Sequence, residues 1–199
     1  MAATARRQGV TPYEAPPAEL PSTVRELFDA LPPLPGLRVE VIEGNLHVSP
    51  VGSPEHQGAF ADLHDLLFPV RKERGWKGYP GGLDVCVEGP REPVVPDYVL
   101  LPPDCPRWGE REMRSSGLIM VAEVVSPSSK HDDRVTKVGL YATGGVPVYL
   151  LLDPLERKAT VYSDIADGAY QTKDECVLGE TLHLPEPVDF DLETTAFKE

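Results

Sequence analysis

Apolar residues change their spacing several times along the chain, and each change marks an element. Val24, Leu27, Phe28 and Leu31 fall on one face of a helical period, Thr23 and Glu26 stand at capping-box spacing, and Pro32-Pro33 follows. This predicts a short helix. The pattern then alternates. Leu37-Arg-Val-Glu-Val-Ile42 and Leu46-His-Val48 flank Glu43-Gly44-Asn45, which predicts a tight hairpin with glycine available for positive φ. Ser53-Pro54-Glu55 offers a cap and a first-turn proline for a long helix. Its apolar face runs from His56 through Phe60, Leu63, Leu67 and Val70 to Arg74, where Gly75 stops it.

From Tyr79 to Leu101 the period shortens to that of strands. Leu83-Asp-Val-Cys-Val87 alternates, and Val94 to Leu101 is apolar apart from Pro96 and Asp97, so two neighbouring strands are predicted. A polar loop rich in Arg and Glu follows. Leu118 to Val125 predicts a strand buried on both faces, Ser126-Pro-Ser-Ser-Lys130 a connection, and Asp132 to Ala142 a helix ended by Thr143-Gly-Gly145. Val146 to Leu152 and Ala159 to Tyr162 predict an antiparallel pair around the turn Asp153-Pro-Leu-Glu-Arg157, and shorter β signals occur near Tyr170 and over Thr181 to Leu184. The sum is a mixed α/β domain, in which the strand, helix, strand segment from 118 to 152 should form a parallel crossover.

Composition narrows this without redirecting it. A chain of 199 residues with 41% hydrophobic content suits one domain with one substantial core. The Ala/Pro-rich residues 1–20 predict a flexible tail, 21–190 the domain, and 191–199 a second tail. The 22 prolines cluster in loops and termini. Cys86, Cys105 and Cys176 lack the paired spacing of zinc sites or disulfide frameworks and suit reduced thiols. With neither a signal-peptide pattern nor a membrane-span pattern, a cytoplasmic protein that does not engage membranes is the expectation. The net charge of −13 argues against general affinity for nucleic acid but leaves room for local contact. Arg71, Lys72, Arg74 and Lys77, or Arg107, Arg111 and Arg114, could supply it, or each group could be a solvated face.

The candidate chemistry sits where carboxylates break apolar runs. Asp97 interrupts Val94-Val-Pro-Asp97-Tyr-Val-Leu-Leu101, and Glu123 interrupts Leu118-Ile-Met-Val-Ala-Glu123-Val-Val. Ionised groups on buried strands are costly without a partner, and a divalent metal is the natural one. Asp97 and Glu123, with the Val124 carbonyl as a third oxygen, match the preference of Mg²⁺ for hard oxygen ligands. Metal-assisted phosphodiester hydrolysis is the leading hypothesis.

The ordered motifs Val-Pro-Asp97-Tyr-Val, Glu123-Val-Val-Ser126-Pro-Ser-Ser, Asp133-x-x-x-Lys137-x-x-x-Tyr141, Gly145-Val-Pro-Val-Tyr149 and Leu152-Asp153-Pro154 resemble the Uma-type restriction endonucleases of the PD-(D/E)xK nuclease superfamily. The resemblance covers residues 37–165. It implies a restriction-endonuclease-like core of mixed β-sheet flanked by helices, Mg²⁺ or Mn²⁺ as cofactor, and DNA as substrate, with Asp97 and Glu123 as metal-binding acids. One departure matters: the lysine that the superfamily carries two residues after the glutamate is Val125 here. The resemblance points to Lys137, on the following helix, as the substitute that orients the attacking water or stabilises developing charge. It also implies accessory roles for Glu40 and His56, in the metal shell or the substrate pocket. Asp133, one helical turn before Lys137, joins them as an accessory residue. Duplex cleavage by a single-site nuclease calls for two sites, which makes a homodimer the class expectation.

Plainer readings compete at each position. Asp97 after Pro96 could shape a strand edge or bulge. Glu123 could belong to a buried ion pair. Asp133 and Lys137 could be a surface pair at i, i+4, His56 a helix-terminal histidine, and Glu40 a solvent-facing strand residue. Tyr141 and Tyr149 suit core aromatics. At the level of function, an inactive nuclease-fold binding module and a phosphodiesterase acting on RNA or a small phosphorylated molecule are the competing classes.

Overall fold

The structure is a computed structural model that describes residues 20–197, so the tail predicted over 1–20 lies, up to residue 19, outside the described residues. Helix α1 (Val24–Ala30) starts as predicted, with Glu26 N donating to Thr23 Oγ1 at 3.1 Å and Glu26 Oε2 accepting from Ser22 N at 2.7 Å. The hairpin follows, β1 (Leu37–Ile42) against β2 (Asn45–Pro50), with Ile42 opposite Asn45. Its two turn residues, Glu43 and Gly44, both have positive φ (50° and 71°), the geometry a two-residue hairpin needs.

The long helix predicted from Ser53 to Arg74 is two helices, α2 (Pro54–Leu66) and α3 (Phe68–Arg74), joined at Leu67. Pro69 causes the break. It has no N–H for the preceding turn and its ring crowds the carbonyls behind it, so it is tolerated only near a helix start. Ser53 caps α2 through the His56 N–H at 3.4 Å, and Gly75 at φ 71° ends α3.

The chain continues through β3 (Lys77–Pro80), β4 (Val85–Val87), β5 (Glu92–Val94), β6 (Tyr98–Leu101), β7 (Arg107–Trp108), β8 (Glu112–Arg114) and β9 (Met120–Val124). Then come α4 (Lys137–Thr143), β10 (Val148–Asp153), β11 (Lys158–Ala166), β12 (Ala169–Val177), β13 (Thr181–Leu184) and β14 (Phe190–Glu193). The main sheet has the order β12-β11-β10-β9-β6-β3, and β9 runs parallel to β10 as predicted for the crossover. The strands between Tyr79 and Leu101 divide between two sheets, because Gly81 and Gly82 (φ 69° and 70°) turn the chain away after β3. β4 and β5 join β8 and β7 in a smaller sheet ordered β5-β4-β8-β7. The β7–β8 hairpin lies in the stretch predicted as a polar loop, and its strands are too short to register as alternation.

Residues 191–197, predicted as a tail, are folded. β14 pairs with β13, and Leu192 and Phe197 are buried in the core beside α2. Spaced apolar residues among acids hid this segment.

The main sheet separates two apolar layers. Met120, Ala122 and Val124 of β9 pack with Phe60, Leu63 and Leu67 of the helical layer. Val121 faces the opposite layer with Val99, Tyr141 and Tyr149. Alternation puts Glu123 on the Val121 side, the side that α4 covers. Among the described residues no helix is long and apolar enough to cross a membrane.

Candidate active site

Asp97 ends the loop entering β6, and Glu123 lies on the adjacent β9. The antiparallel register opposes Tyr98 to Ala122, so Asp97 and Glu123 face each other one step further along. Two hydrogen bonds fix them: Val124 N donates to Asp97 Oδ2 at 2.9 Å, and Asp97 N donates to Glu123 Oε2 at 3.3 Å. The Pro96-Asp97 step is therefore more than a strand edge, since it brings a second carboxylate against the first.

Lys137 reaches the pair from the start of α4. Its Nζ stands 2.9 Å from Glu123 Oε1, 3.1 Å from Asp133 Oδ1 and 4.0 Å from Glu40 Oε1. The turn before it, Asp132–Thr136, is a π-helix, a wide turn seen mostly as an insertion at functional positions. Asp133 and Lys137 are both buried, which removes the surface-pair reading. Val125, in the superfamily's usual lysine position, is buried in the apolar layer with Tyr141.

Glu40 is also buried, at 6% exposure, where alternation suggested a solvent-facing residue. Its Oε1 accepts from Val95 N at 2.9 Å, because β1 packs against β5 and turns this face inward. Arg38, two residues earlier on the same face, donates to Asp97 Oδ1 at 2.7 Å. Sequence reasoning missed Arg38. The signal was available, since any reading that turns Glu40 inward turns Arg38 inward too.

His56, in the first turn of α2, brings Nε2 within 2.9 Å of the Val124 carbonyl and 3.1 Å of Asp97 Oδ2. Tyr141 donates to Glu123 Oε1 at 2.5 Å and Tyr149 to the Asp133 carbonyl at 2.8 Å. Both tyrosines are core aromatics that also tie site residues down.

Four buried carboxylates, Glu40, Asp97, Glu123 and Asp133, thus face two permanent cations, Arg38 and Lys137, with His56 beside them. The electrostatics divide the acids. Burial works against the Asp97 carboxylate, but the His56 ring and the Arg38 guanidinium hold it well below the ordinary range. Burial pushes Glu123 up to about 8; Lys137 opposes this, while the charges of Asp97, Asp133 and Glu40 add to it. Asp133 is raised by burial, with Lys137 opposing. For Lys137 burial disfavours the charge, yet Glu123, Glu40 and Asp133 keep its pKa well above normal.

This donor set fits a hard divalent cation. Asp97, Glu123 and the Val124 carbonyl present oxygens, and the acids outnumber the permanent cations. Among the described residues neither oxygen of buried Asp133 has an aligned hydrogen bond, and Lys137 pairs with it at 3.1 Å. Among the described residues no three His, Cys, Asp or Glu side chains form a ready-made metal-ligand group, so a cation held by Asp97 and Glu123 would complete its shell with the Val124 carbonyl and water. The site opens into a cleft of about 590 Å³ between the β1–β2 hairpin and the Ser126–Ser129 turn.

A family model described as "Uma2: Putative restriction endonuclease" matches residues 25–196, which include every residue of this site. The chain belongs to the Uma2 family. The crystal structure of "a putative nuclease belonging to DUF820" from Anabaena variabilis superposes with a TM-score of 0.68. The match has 19% sequence identity and covers 89% of this chain and 98% of that one. It establishes the shared fold. No curated protein matches the chain. Membership of Uma2, together with this fold, supports a nuclease and agrees with the resemblance carried by the motifs from Asp97 to Pro154.

Proposed function

We propose that this Uma2 protein is a metal-dependent endonuclease that hydrolyses DNA phosphodiester bonds. The observation that carries the reading is the apposition of Asp97 and Glu123 across adjacent strands, with Lys137 Nζ 2.9 Å from Glu123. Asp97, Glu123 and the Val124 carbonyl would hold Mg²⁺ or Mn²⁺. Such an ion, when bound, polarises a phosphoryl oxygen and lowers the pKa of a coordinated water. The remaining roles belong to the chain. Lys137 supplies a positive charge that orients the attacking water or stabilises charge on the phosphoryl group. Arg38 and Tyr141 orient the two acids, and Asp133 and Glu40 hold the Lys137 ammonium. A homodimer would provide the second site that cleavage of both strands requires.

Incubation of plasmid, single-stranded DNA and RNA with Mg²⁺ or Mn²⁺, alongside Glu123→Ala, tests this. DNA cleavage that Glu123→Ala abolishes is expected. Absence of cleavage in either metal, or its persistence in the variant, overturns the assignment, and cleavage of RNA alone moves the substrate to that polymer.

One observation favours a second reading, a nuclease-fold binding module without catalysis. Both acids already have protein partners, Arg38 and His56 on Asp97, and Lys137 and Tyr141 on Glu123. Calorimetric titration with Mn²⁺ separates the two: the enzyme binds the ion and Asp97→Ala loses it, whereas the module binds none.

A further inference from the structure

The chain is acidic as a whole, with net charge −13, yet four arginines gather on the small sheet. The Arg91 and Arg114 guanidiniums stand 4.2 Å and 4.9 Å from the ring centroid of Trp108. Arg107 is the neighbour of Trp108 in β7, and Arg111 leads from the turn into β8. Arg111 pairs with Asp84 at 2.9 Å, and Arg114 approaches Glu88 at 3.4 Å. Arg91 and Arg107 are exposed, and among the described residues their side chains make neither an ion pair nor a hydrogen bond to the protein. Arg91 takes φ 59°, a left-handed backbone uncommon for a residue with a long side chain. Stacking on the indole restricts its guanidinium, so less freedom is lost when it meets a phosphate.

The patch reaches the neighbourhood of the site through Arg111. A second cavity, of about 570 Å³, shares Arg38, Val51 and Gly52 with the cleft that holds Asp97 and Glu123, and its lining extends to Arg111. Arg38 itself touches Asp97. The two cavities together therefore extend from the candidate reacting centre to Arg111 and Glu112 at the start of β8.

The other basic cluster lacks this link. Arg71, Lys72 and Arg74 of α3 also stand over aromatic rings, Phe68 and Trp76, at 5.4–5.8 Å. None of them lines the cleft or the cavity.

We propose that the Arg91–Arg107–Trp108–Arg111 surface is the track along which a nucleic acid strand leaves the cleft, its phosphates lying against these arginines. The inference rests on the nuclease reading and names where its substrate is held. Phosphate contacts position a strand independently of sequence, and each one lost lowers the salt dependence of binding.

Binding, kept separate from cleavage, tests it. Fluorescence anisotropy with labelled single-stranded DNA, duplex DNA and RNA is measured in Ca²⁺ over a salt series. The proteins are wild type, Arg91→Ala/Arg107→Ala, and the charge-matched Lys72→Ala/Arg74→Ala. The first pair of substitutions is expected to weaken binding at least tenfold at low salt and to reduce the slope of log K against log salt by about 2, roughly one per phosphate contact. The Lys72/Arg74 variant should stay near wild type. Equal weakening in both variants, weakening in the control alone, or no weakening in either overturns the track. Wild type that binds no nucleic acid overturns the track and the nuclease reading together. Binding that follows this pattern without cleavage in Mg²⁺ or Mn²⁺ supports the track and counts against catalysis alone. Whichever polymer shows the difference between the variants is the one the track holds.

Discussion

Lys137 Nζ lies 2.9 Å from Glu123 Oε1 although 14 residues separate the two in the chain. The superfamily's usual lysine would arrive from the same strand as the glutamate. Here the ammonium arrives from the helix that follows, through the π-helical turn at Asp132–Thr136, and meets the acid from the layer above the sheet. Both partners are almost fully buried, and Lys137 also pairs with Asp133 and Glu40, so its loss leaves a cluster of buried carboxyl groups without their cation. Lys137→Met is expected to lower unfolding free energy by about 3–5 kcal/mol, the range for breaking a buried pair from one side. Urea denaturation in EDTA measures it, and a cost below 1 kcal/mol would show that the pair is not buried as described.

Tyr141 offers a finer probe of the same acid. Its hydroxyl donates to Glu123 Oε1 at 2.5 Å inside the core, and Tyr141→Phe removes that donor with little change in packing. A loss of about 0.5–1.5 kcal/mol in stability is expected, the net contribution of one hydrogen bond, because Lys137 Nζ still donates to the same oxygen. If Glu123 is the metal-binding acid, cleavage should fall in the same variant while the fold, followed by near-ultraviolet circular dichroism, persists.

Arg38 makes the corresponding contact on Asp97. Arg38→Ala leaves the Asp97 carboxylate buried with His56 as its remaining side-chain partner, so destabilisation of about 3 kcal/mol is expected. Arg38→Lys should recover only part of this, because an ammonium cannot reproduce the directed geometry of a guanidinium. Equal stability of the Lys and Ala variants in thermal melts would show that the charge at this position contributes nothing.

Away from the site, His64 on α2 supplies a pH dependence of known sign. Burial, with the Arg71 charge, lowers its pKa below the ordinary 6.5. The folded state therefore takes up its proton less readily than the unfolded chain, and the contribution of His64 is present above pH 6.5 and lost as pH falls through the lowered folded value. The stability difference between wild type and His64→Gln should change across that acid window and stay constant above neutrality. A difference that varies only on the alkaline side contradicts the assignment.

The parts of this site that could be read in the sequence share one property: they violate a local pattern. An acid inside Met120–Val124 has no ordinary place in a buried strand, and Pro96-Asp97 interrupts an apolar run, so both stood out. Arg38 and Glu40 violate nothing. A charged residue at every second position of a hairpin is what a half-exposed strand looks like, and only the packing of β1 against β5 turns that face inward. The same reasoning accounts for β7 and β8. Two- and three-residue strands carry no period, and they exist because β4 offers Val85 and Cys86 as partners for Met113 and Arg114.

The C-terminal segment is the clearest case of tertiary context overriding local pattern, and it yields the last prediction. Phe190-Asp-Leu-Glu-Thr-Thr-Ala-Phe197 alternates only weakly among acids, and the sequence alone predicts a tail over 191–199. In the fold Leu192 is 0% and Phe197 5% exposed, both in the layer containing Leu63 and Leu150. Thr194 Oγ1 donates to the Glu180 carbonyl at 2.6 Å and accepts from Gly179 N at 2.7 Å. A chain ending at Asp189 would expose the face of β13 and open a void beside α2. Truncating a buried leucine to alanine alone costs about 2–5 kcal/mol, comparable with a large share of the ~5–15 kcal/mol that holds a typical domain. The truncated chain is therefore expected to lose its cooperative melt, and Leu192→Ala in the full chain to melt at a lower temperature with cooperativity retained. A truncated chain that melts like wild type would return residues 191–197 to the status of a tail.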